Sequence, residues 1–454
     1  MGTRDFVVKK IGLPVAERIK GWPVSSYLSE LNKSQWWTPA QLTELQNDKL
    51  RRLVKHAYET VEFYREIFDS VSLTPSDIKC AQDLPKVPII NKALLKTNYP
   101  AKTISSEYDA NELNVMASSG STGEPFQFLM SDSEKAWKWA SIARFWGWGG
   151  YELGDKYVNI TRTPHRAFRN GWLHRLEEAF SGMLAIDSFE LFEGNAEKYA
   201  RQILDFKPKM LRGHCSALHY LAQVLHDTEQ KLQFQSVFTT GEKLYDFQRE
   251  VMESVYGCRV HDHYGGESME IACQCDHGKS YHINAENVIV EVVDAQGNPC
   301  TPGVRGELVI TDLNQYSMPF IRYNIQDVGV LSSSLCSCGR GLPLLDEISG
   351  RVTDFAVTPS GKPVLMLVFT GMFLAMPVEV KAFQIVQEKI DLFNINIVPG
   401  IDFESVRDKI LHQAHDYLGD DVTVNIVIVD KIPLTAGGKR RLFVSKCSSQ
   451  PEGI

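Results

Sequence analysis

Ser118-Ser119-Gly120-Ser121-Thr122-Gly123-Glu124-Pro125 is the stretch on which the reading of this chain turns. An apolar-leaning segment, Leu113 to Ala117, leads into it and a second, Phe126 to Met130, leads out, so the sequence predicts strand, glycine-rich loop, strand. Two glycines tolerate positive φ and close backbone approach, which lets successive N–H groups converge into an anion nest among hydroxyls, the chemistry a triphosphate needs. Ser118, Ser119, Gly120, Ser121, Thr122 and Gly123 are therefore the candidate phosphate contacts. The string is not of the Walker type, which requires Gly-x-x-x-x-Gly-Lys-Ser/Thr opening a helix. A Ser/Gly turn that joins two strands and binds nothing is the plain alternative.

The chain has 454 residues, too many for one core, which points to about two or three domains. Hydrophobic residues make up 43% and charged residues 23%, the balance of an ordinary globular protein. A net charge of −8 argues against a nucleic-acid binder that relies on phosphate neutralisation, although a nucleotide needs only a local field. No apolar run approaches the roughly 20 residues of a bilayer span. Residues 1–10 carry Arg4, Asp5, Lys9 and Lys10 without an apolar stretch, unlike a secretory signal, so a cytoplasmic location is expected. In that compartment the nine cysteines are expected as thiols or metal ligands rather than disulfides.

From Trp22 to Asn98 the pattern is helical. Thr38 to Arg65 is its clearest case, with Pro39 near the start and Leu42, Leu45, Leu50, Leu53 and Val54 recurring at helical spacing. Ser131 to Gly147 predicts another helix, whose Trp137, Trp139, Phe145 and Trp146 read as core. Strands at Tyr157–Thr161, Met183–Ile186 and Ser236–Thr240 alternate with helices at Gly194–Phe206 and Ser216–His226, the pattern of an α/β layered architecture. Ser236–Thr240 runs into Gly241-Glu242-Lys243-Leu244, and the end of such a strand is where an α/β sheet meets its ligand. Beyond Asp354 a hairpin around Ser360-Gly361, strands at Val378–Val386, Leu392–Val398 and Val422–Val429, and a helix at Phe403–Leu418 predict a small α+β domain.

Four further constellations carry chemistry. In Asp262-His263-Tyr264-Gly265-Gly266-Glu267-Ser268 a Tyr can stack on a base while a nearby carboxylate holds Mg²⁺ on the phosphates of ATP; Glu267 is the favoured ligand and Glu270 the alternative. Cys275, His282, Cys336 and Cys338 supply three thiolates and an imidazole, a donor set for a closed tetrahedral zinc site within an insertion around 273–340. Reduced core thiols without metal are the other reading, and Cys273 is the odd one out. Asp327 closes Pro319-Phe320-Ile321-Arg322-Tyr323-Asn324-Ile325-Gln326-Asp327 and can accept both ribose hydroxyls. Near the end, Pro433-Leu434-Thr435-Ala436-Gly437-Gly438-Lys439-Arg440 places a lysine after flexible glycines, able to bring one cation to developing charge on an α-phosphate.

Taken in order, these strings resemble the adenylate-forming enzymes: acyl-CoA ligases, luciferase-like proteins and peptide-synthetase adenylation domains. The run Cys275…His282…Cys336-Ser337-Cys338-Gly339-Arg340 is similar to the branch of phenylacetate-CoA ligase-like and capsule-biosynthesis-like proteins. The resemblance spans roughly 85 to 445. It implies a large N-terminal domain of layered sheets and helices over 1–353, which binds ATP and acid, and a small mobile C-terminal domain over 354–454. It implies that Gly241 and Glu242 line an adenine pocket with Tyr264 and Gly265, and that Arg351 of Gly350-Arg351-Val352-Thr353-Asp354 joins Asp327 at the ribose. Asp354 becomes the pivot, and Lys439 the catalytic lysine beside Thr122 and Glu267. The implied reaction is ATP- and Mg²⁺-dependent activation of a small carboxylic acid as acyl-AMP, then transfer to CoA or an amine. After Asp354 there is no Arg-Gly-x-Asn-x-x-Pro-like string, beside which CoA-using relatives accept their thiol, so the acceptor stays open. A zinc-stabilised nucleotide or metabolite binder without catalysis is the competing class. A homodimer is allowed for; nucleic acid and a membrane span are not expected.

Overall fold

A computed structural model describes residues 12, 17, 21–117, 126–161, 182–191, 195–226, 232–266, 269–351, 355–360, 363–365, 369, 372–373, 376, 378–433 and 441–447. The 118–125 string, Glu267, Asp354 and Lys439 lie outside those residues, as does the side chain of Arg351. The chain divides into two compact units, 1–349 and 350–454.

The first unit opens with helices α1 (Val24–Ser34), α2 (Pro39–Thr60) and α3 (Glu62–Ser70). Thr38 begins α2 as a capping box: its hydroxyl accepts from Gln41 N at 3.3 Å and its own N–H donates to Gln41 Oε1 at 2.9 Å. Leu42, Leu50, Leu53, Val54 and Ala57 are its buried residues. The single helix expected through Arg65 is interrupted at Val61, which is extended (φ −120°, ψ 108°) and fully buried. The N–H of Phe63 beyond it donates to Lys102 O at 3.0 Å instead of continuing the helical ladder. After α4 (Lys92–Asn98), β1 (Asn114–Ala117) and β2 (Gln127–Met130) pair antiparallel with Ala117 opposite Gln127. That register fixes both ends of the Ser118–Pro125 string onto neighbouring strands.

Helix α5 (Asp132–Trp148) starts at a second capping box between Ser131 and Glu134. Glu134 Oε1 also accepts the backbone N–H groups of Tyr316 and Ser317, each at 2.7 Å. Phe145, Trp146 and Trp148 are buried. Trp139, about 10 Å back along the helix from Trp146, stays 39% exposed, so the aromatic run is not wholly core.

The main sheet is built from β3 (Tyr157–Thr161), β4 (Met183–Asp187), β5 (Met210–His214), β6 (Ser236–Thr240), β7 (Val260–Gly266), β8 (Met269–Gln274), β9 (Tyr281–Ile283), β10 (Val288–Val293), β11 (Arg305–Asp312), β12 (Tyr323–Leu331) and β13 (Leu344–Arg351). Its spatial order is β10-β11-β12-β13-β9-β8-β7-β6-β5-β3-β4, with β3 to β7 parallel and β8 antiparallel to β7. Helices α6 (Ala196–Phe206), α7 (Cys215–His226) and α8 (Asp246–Tyr256) connect the parallel strands, as right-handed crossovers require. In register, Asn159, Arg212, Phe238 and His261 share one face, and His214, Thr240 and His263 continue it toward the carboxyl ends. Phe238 on this face packs in a cluster with Phe145, Trp146 and Trp148 of α5. The alternate residues Val158, Ile160, Leu211 and Val237 join Leu218, Leu221 and Met252 in the other core, which packs against α6 to α8. No described helix is long and apolar enough to cross a membrane.

The second unit has its own core. Strands β14 (Phe355–Val357) and β15 (Pro363–Leu365) form a hairpin pair. A four-stranded sheet follows, β16 (Val380–Lys389), β17 (Leu392–Pro399), β18 (Thr423–Ile428) and β19 (Phe443–Ser445), in the order β18-β17-β16-β19. Helix α9 (Arg407–Leu418) lays Ile410, Ala414 and Leu418 into a cluster with Ile385, Phe393, Ile395 and Ile397. A two-layer α+β unit is the outcome, as the alternation predicts.

Within the first unit, Arg144 of α5 is buried and pairs with Glu286 at 2.7 Å, while its other nitrogen donates to Asn284. The same Glu286 oxygen accepts from Ser34 of α1 at 2.5 Å. Removing one partner of such a pair leaves the other charge desolvated and alone. Glu286→Ala is therefore expected to lower unfolding free energy by about 3–5 kcal/mol in urea titration, against less than about 1 kcal/mol for Asp48→Ala at the exposed Arg52–Asp48 pair. Equal, small effects in both variants would contradict the role given to this pair.

Candidate functional site

The carboxyl ends of β5, β6 and β7 are where a parallel sheet offers backbone groups to a ligand. His214, Thr240 and His263 stand side by side there. Gly241 follows Thr240 with φ +74°, a conformation suited to glycine, and this turns the chain away from the strand. Helix α8 begins only at Asp246. Glu242 reaches back to α7, where its carboxylate accepts from Ser216 N at 2.6 Å and Ser216 Oγ at 3.0 Å, covering the start of that helix.

Tyr264 lies one residue beyond His263, which pairs with Thr240 at the end of the β6–β7 register. Its hydroxyl donates to Asp327 Oδ2 at 2.7 Å, joining residues 63 positions apart in sequence. Asp327 does not close a loop, as the motif suggests; it sits inside β12. What re-aims it is an irregularity in the β11–β12 pairing between Glu307 and Val309, with Gln326 in the left-handed region at φ +67°. Gly265 is required by packing, since a Cβ there would come 2.5 Å from the backbone oxygen of Met269, whereas one on Gly266 would meet the movable end of a side chain, Ile325 Cδ1 at 2.5 Å.

A group of charged side chains that motif reading did not single out lies on the α5 side. Lys138 comes from α5, Arg212 from β5, His263 from β7 and Glu270 from β8. Glu270 Oε2 is 2.6 Å from His263 Nε2, and Oε1 is 3.8 Å from Lys138 Nζ. Burial alone would raise the pKa of Glu270, but His263, Lys138 and Arg212 together hold it below the ordinary carboxylate value. Both Glu270 oxygens thus face side chains of the protein itself, His263 and Lys138. The sequence signal was a lysine between Trp137 and Trp139 and an arginine inside the strand Met210-Leu211-Arg212-Gly213.

Cys275, His282, Cys336 and Cys338 come together with all four donor atoms within 4.8 Å of one another. Cys275 Sγ is 3.7 Å from Cys336 Sγ and 3.3 Å from His282 Nε2, which is 3.4 Å from Cys338 Sγ. The Cys336–Cys338 loop is held by Arg340, whose guanidinium lies over Trp148 at 4.7 Å and Trp36 at 5.1 Å and whose Nε donates to Gln35 at 2.9 Å. Trp148 meets the His282 ring edge-on at 5.3 Å and donates to the same Gln35 oxygen. Burial pushes the Cys275 thiol up to about 12 and the His282 imidazole down to about 3. The imidazole is thus in the neutral form that binds metal, and a divalent cation would compensate the cost of ionising the thiols. Cys273 stands apart, buried on β8 with its Sγ toward Gln274 O at 3.5 Å.

The chain is similar to several known proteins. Residues 356–446 match the family described as the CapK C-terminal domain. The chain is 25% identical over 434 residues to the phenylacetate-coenzyme A ligase of Thermus thermophilus, covering 88% of this chain and 96% of that protein. It is 24% identical over 417 residues to Protein CapK of Staphylococcus aureus, covering 89% of each. Among solved structures, 2-hydroxyisobutyryl-CoA ligase in the postadenylation state, in complex with R3-HIB-AMP, superposes with a TM-score of 0.74 at 20% identity, covering 90% of each chain, a likeness of fold. Over most of its length the chain is thus similar to phenylacetate-CoA ligases and to CapK, and it shares the fold of adenylate-forming ligases.

Proposed function

We propose that the chain is an ATP-dependent carboxylate ligase that forms an acyl-adenylate and passes the acyl group to CoA or an amine. The observation that carries this reading is the Tyr264–Asp327 hydrogen bond at the carboxyl end of the parallel strands. It puts a ring that can stack on adenine and a carboxylate that can accept ribose hydroxyls at one place. Ser118 to Gly123, whose flanking strands are tied by Ala117 opposite Gln127, would cradle the phosphates. Arg351 would join Asp327 at the ribose.

The acid's carboxylate oxygen attacks the α-phosphorus in line, the bond from that phosphorus to the bridging oxygen of the β-phosphate breaks, and pyrophosphate leaves. A thiol or amine then attacks the acyl carbon, displaces AMP and gives up its proton. Catalysis on this reading is positioning with charge neutralisation. Thr122 would donate to phosphate oxygens, and Lys439 would supply a cation as negative charge builds on the α-phosphate. Magnesium would neutralise ATP phosphate charge from Glu267, the assignment favoured because Glu270 already faces His263 and Lys138. Cys275, His282, Cys336 and Cys338 would hold a zinc ion, which supplies cross-linking rather than chemistry because four protein donors close its coordination.

Incubation with ATP, Mg²⁺ and a panel of carboxylic acids should release pyrophosphate only when a suitable acid is present. Nucleotide binding without release under every acid would favour the non-catalytic reading. Asp327→Ala is expected to weaken ATP binding about 10- to 100-fold, the worth of a hydrogen bond to a charged group, whereas Thr122→Ala should mainly slow pyrophosphate release. Unaltered kinetics in both would contradict the nucleotide site.

Lys439→Ala should bind ATP and acid, form acyl-AMP about 10²-fold more slowly, as when one charge-stabilising donor is lost, and still transfer the acyl group from supplied acyl-AMP. Refusal of chemically prepared acyl-AMP would remove Lys439 from the adenylation step alone.

Purified protein should carry about one zinc per chain, and Cys338→Ser should lose the metal and melt earlier with unchanged acid preference. Metal-free protein with the same melting temperature would argue against a structural ion.

A further inference from the structure

Arg212 occupies a position where the surrounding strand is apolar. Its neighbours on β5 are Met210, Leu211 and Gly213, and in register it faces Asn159 on one side and Phe238 on the other. Its Nη1 donates to Asn159 Oδ1 at 2.8 Å, and Asn159 is itself held by donation to Thr161 Oγ1 at 3.1 Å. The guanidinium lies 5.9 Å over the Trp146 ring. These contacts fix the plane of the group and occupy one of its two edges. The other edge, Nε with Nη2, has no acceptor among the described residues, and Nε is buried.

A guanidinium in this state is costly. It stays protonated at neutral pH, and an unpaired buried donor loses its water without replacement. No described carboxylate lies within ion-pair distance of it; Glu270 is the acid that acts on it through charge, and the Glu270 oxygens face His263 at 2.6 Å and Lys138 at 3.8 Å. The Nε–Nη2 edge is the fork that fits a carboxylate with two parallel hydrogen bonds. Arg212 also lies two residues before His214, roughly 7 Å down the strand from its carboxyl end. That depth is below the strand ends and on the α5 side, away from the Tyr264–Asp327 pair on β7 and β12.

We infer that the acid this chain activates carries a second anionic oxygen group, in its simplest form a dicarboxylate, whose distal carboxylate is bound by the Nε–Nη2 edge of Arg212. The inference rests on the carboxylate-ligase reading for the identity of the reacting end, and on Arg212 alone for the distal end. One carboxylate meets ATP at the strand ends while the other is held beneath. Trp146 and Asn159 act as positioning residues for the guanidinium.

The test uses the full-length protein and acids matched in shape but not in charge: succinate with succinamate, glutarate with glutaramate, and terephthalate with terephthalamate. Pyrophosphate release is read with ATP and Mg²⁺, and binding is read by calorimetry with a non-hydrolysable ATP analogue present. The wild-type protein should prefer at least one diacid over its monoamide by about 10- to 100-fold in kcat/KM or Kd, the difference made by a charge-assisted hydrogen-bond pair. Arg212→Met should abolish that preference and Arg212→Lys should keep part of it, with affinity for the ATP analogue unchanged in both. Equal response of the wild type to diacid and monoamide, or an equal loss of both in Arg212→Met, overturns the assignment and leaves the ligase reading standing. Arg212-dependent, charge-selective binding with no pyrophosphate release supports the anion site and overturns the ligase reading. If no diacid binds or reacts, the Arg212 assignment falls. Should Arg212→Met fail to fold, the wild-type charge preference and the Arg212→Lys variant still decide it.

Discussion

One buried ion pair, Arg144 with Glu286, ties helix α5 to the turn between β9 and β10 and fixes the register in which its aromatic face meets the sheet. Glu286 also takes the Ser34 hydroxyl of α1, and Arg144 also reaches Asn284, whose side chain donates to Glu270 O at 2.8 Å. The pair therefore joins α1, α5 and the strands around β8 to β10 through polar contacts with fixed directions. A hydrophobic interface of the same size would tolerate sliding by a turn or a fraction of one; a desolvated guanidinium does not, because any shift strands its charge. This accounts for how α5 can carry two different sites along its length. Lys138 near its middle meets the Glu270 charge group, and Trp148 at its end meets His282 and Arg340 of the cysteine cluster.

The layered α/β fold was legible in the sequence because its signals are local. Pro39 near a helix start, leucines at helical spacing after it, short apolar runs at Tyr157–Thr161 and Ser236–Thr240, and the change of pattern beyond Asp354 each report on their own segment. The break at Val61 was not legible, since it is imposed by a hydrogen bond from Phe63 N to the carbonyl of Lys102, about forty residues on. The cysteine cluster was legible because thiols and an imidazole at ligand spacing are rare together and each has one plausible use. The four residues do converge, and Cys273 does stand aside.

The candidate site was legible only in part, for a reason that follows from how side chains are aimed. Tyr264 and Asp327 could be named from their strings, but the bulge that turns Asp327 out of β12 depends on a register between strands, which no linear pattern states. Lys138 and Arg212 were missed, and Glu270 was named only as the alternative magnesium ligand, so the grouping with His263 was not foreseen. Lys138, Arg212 and Glu270 each have apolar chain neighbours, and only the strand order shows that they and His263 come together.

This placement separates two kinds of residue. Tyr264, Asp327, His263, Arg212 and Glu270 are on strands, with partners that fix them before any ligand arrives. Thr122, Glu267 and Lys439, to which the chemistry is assigned, fall in or beside glycine-containing stretches of sequence. The division suits a reaction whose charge changes as it proceeds. Groups that recognise adenosine and acid interact equally with ground and transition states and are best built into a rigid sheet. Groups that respond to charge developing on the α-phosphate lower the barrier only if they act more strongly there than on bound ATP. On the proposed reading, the strand residues would set which acid is bound, and Thr122, Glu267 and Lys439 would set how fast it reacts.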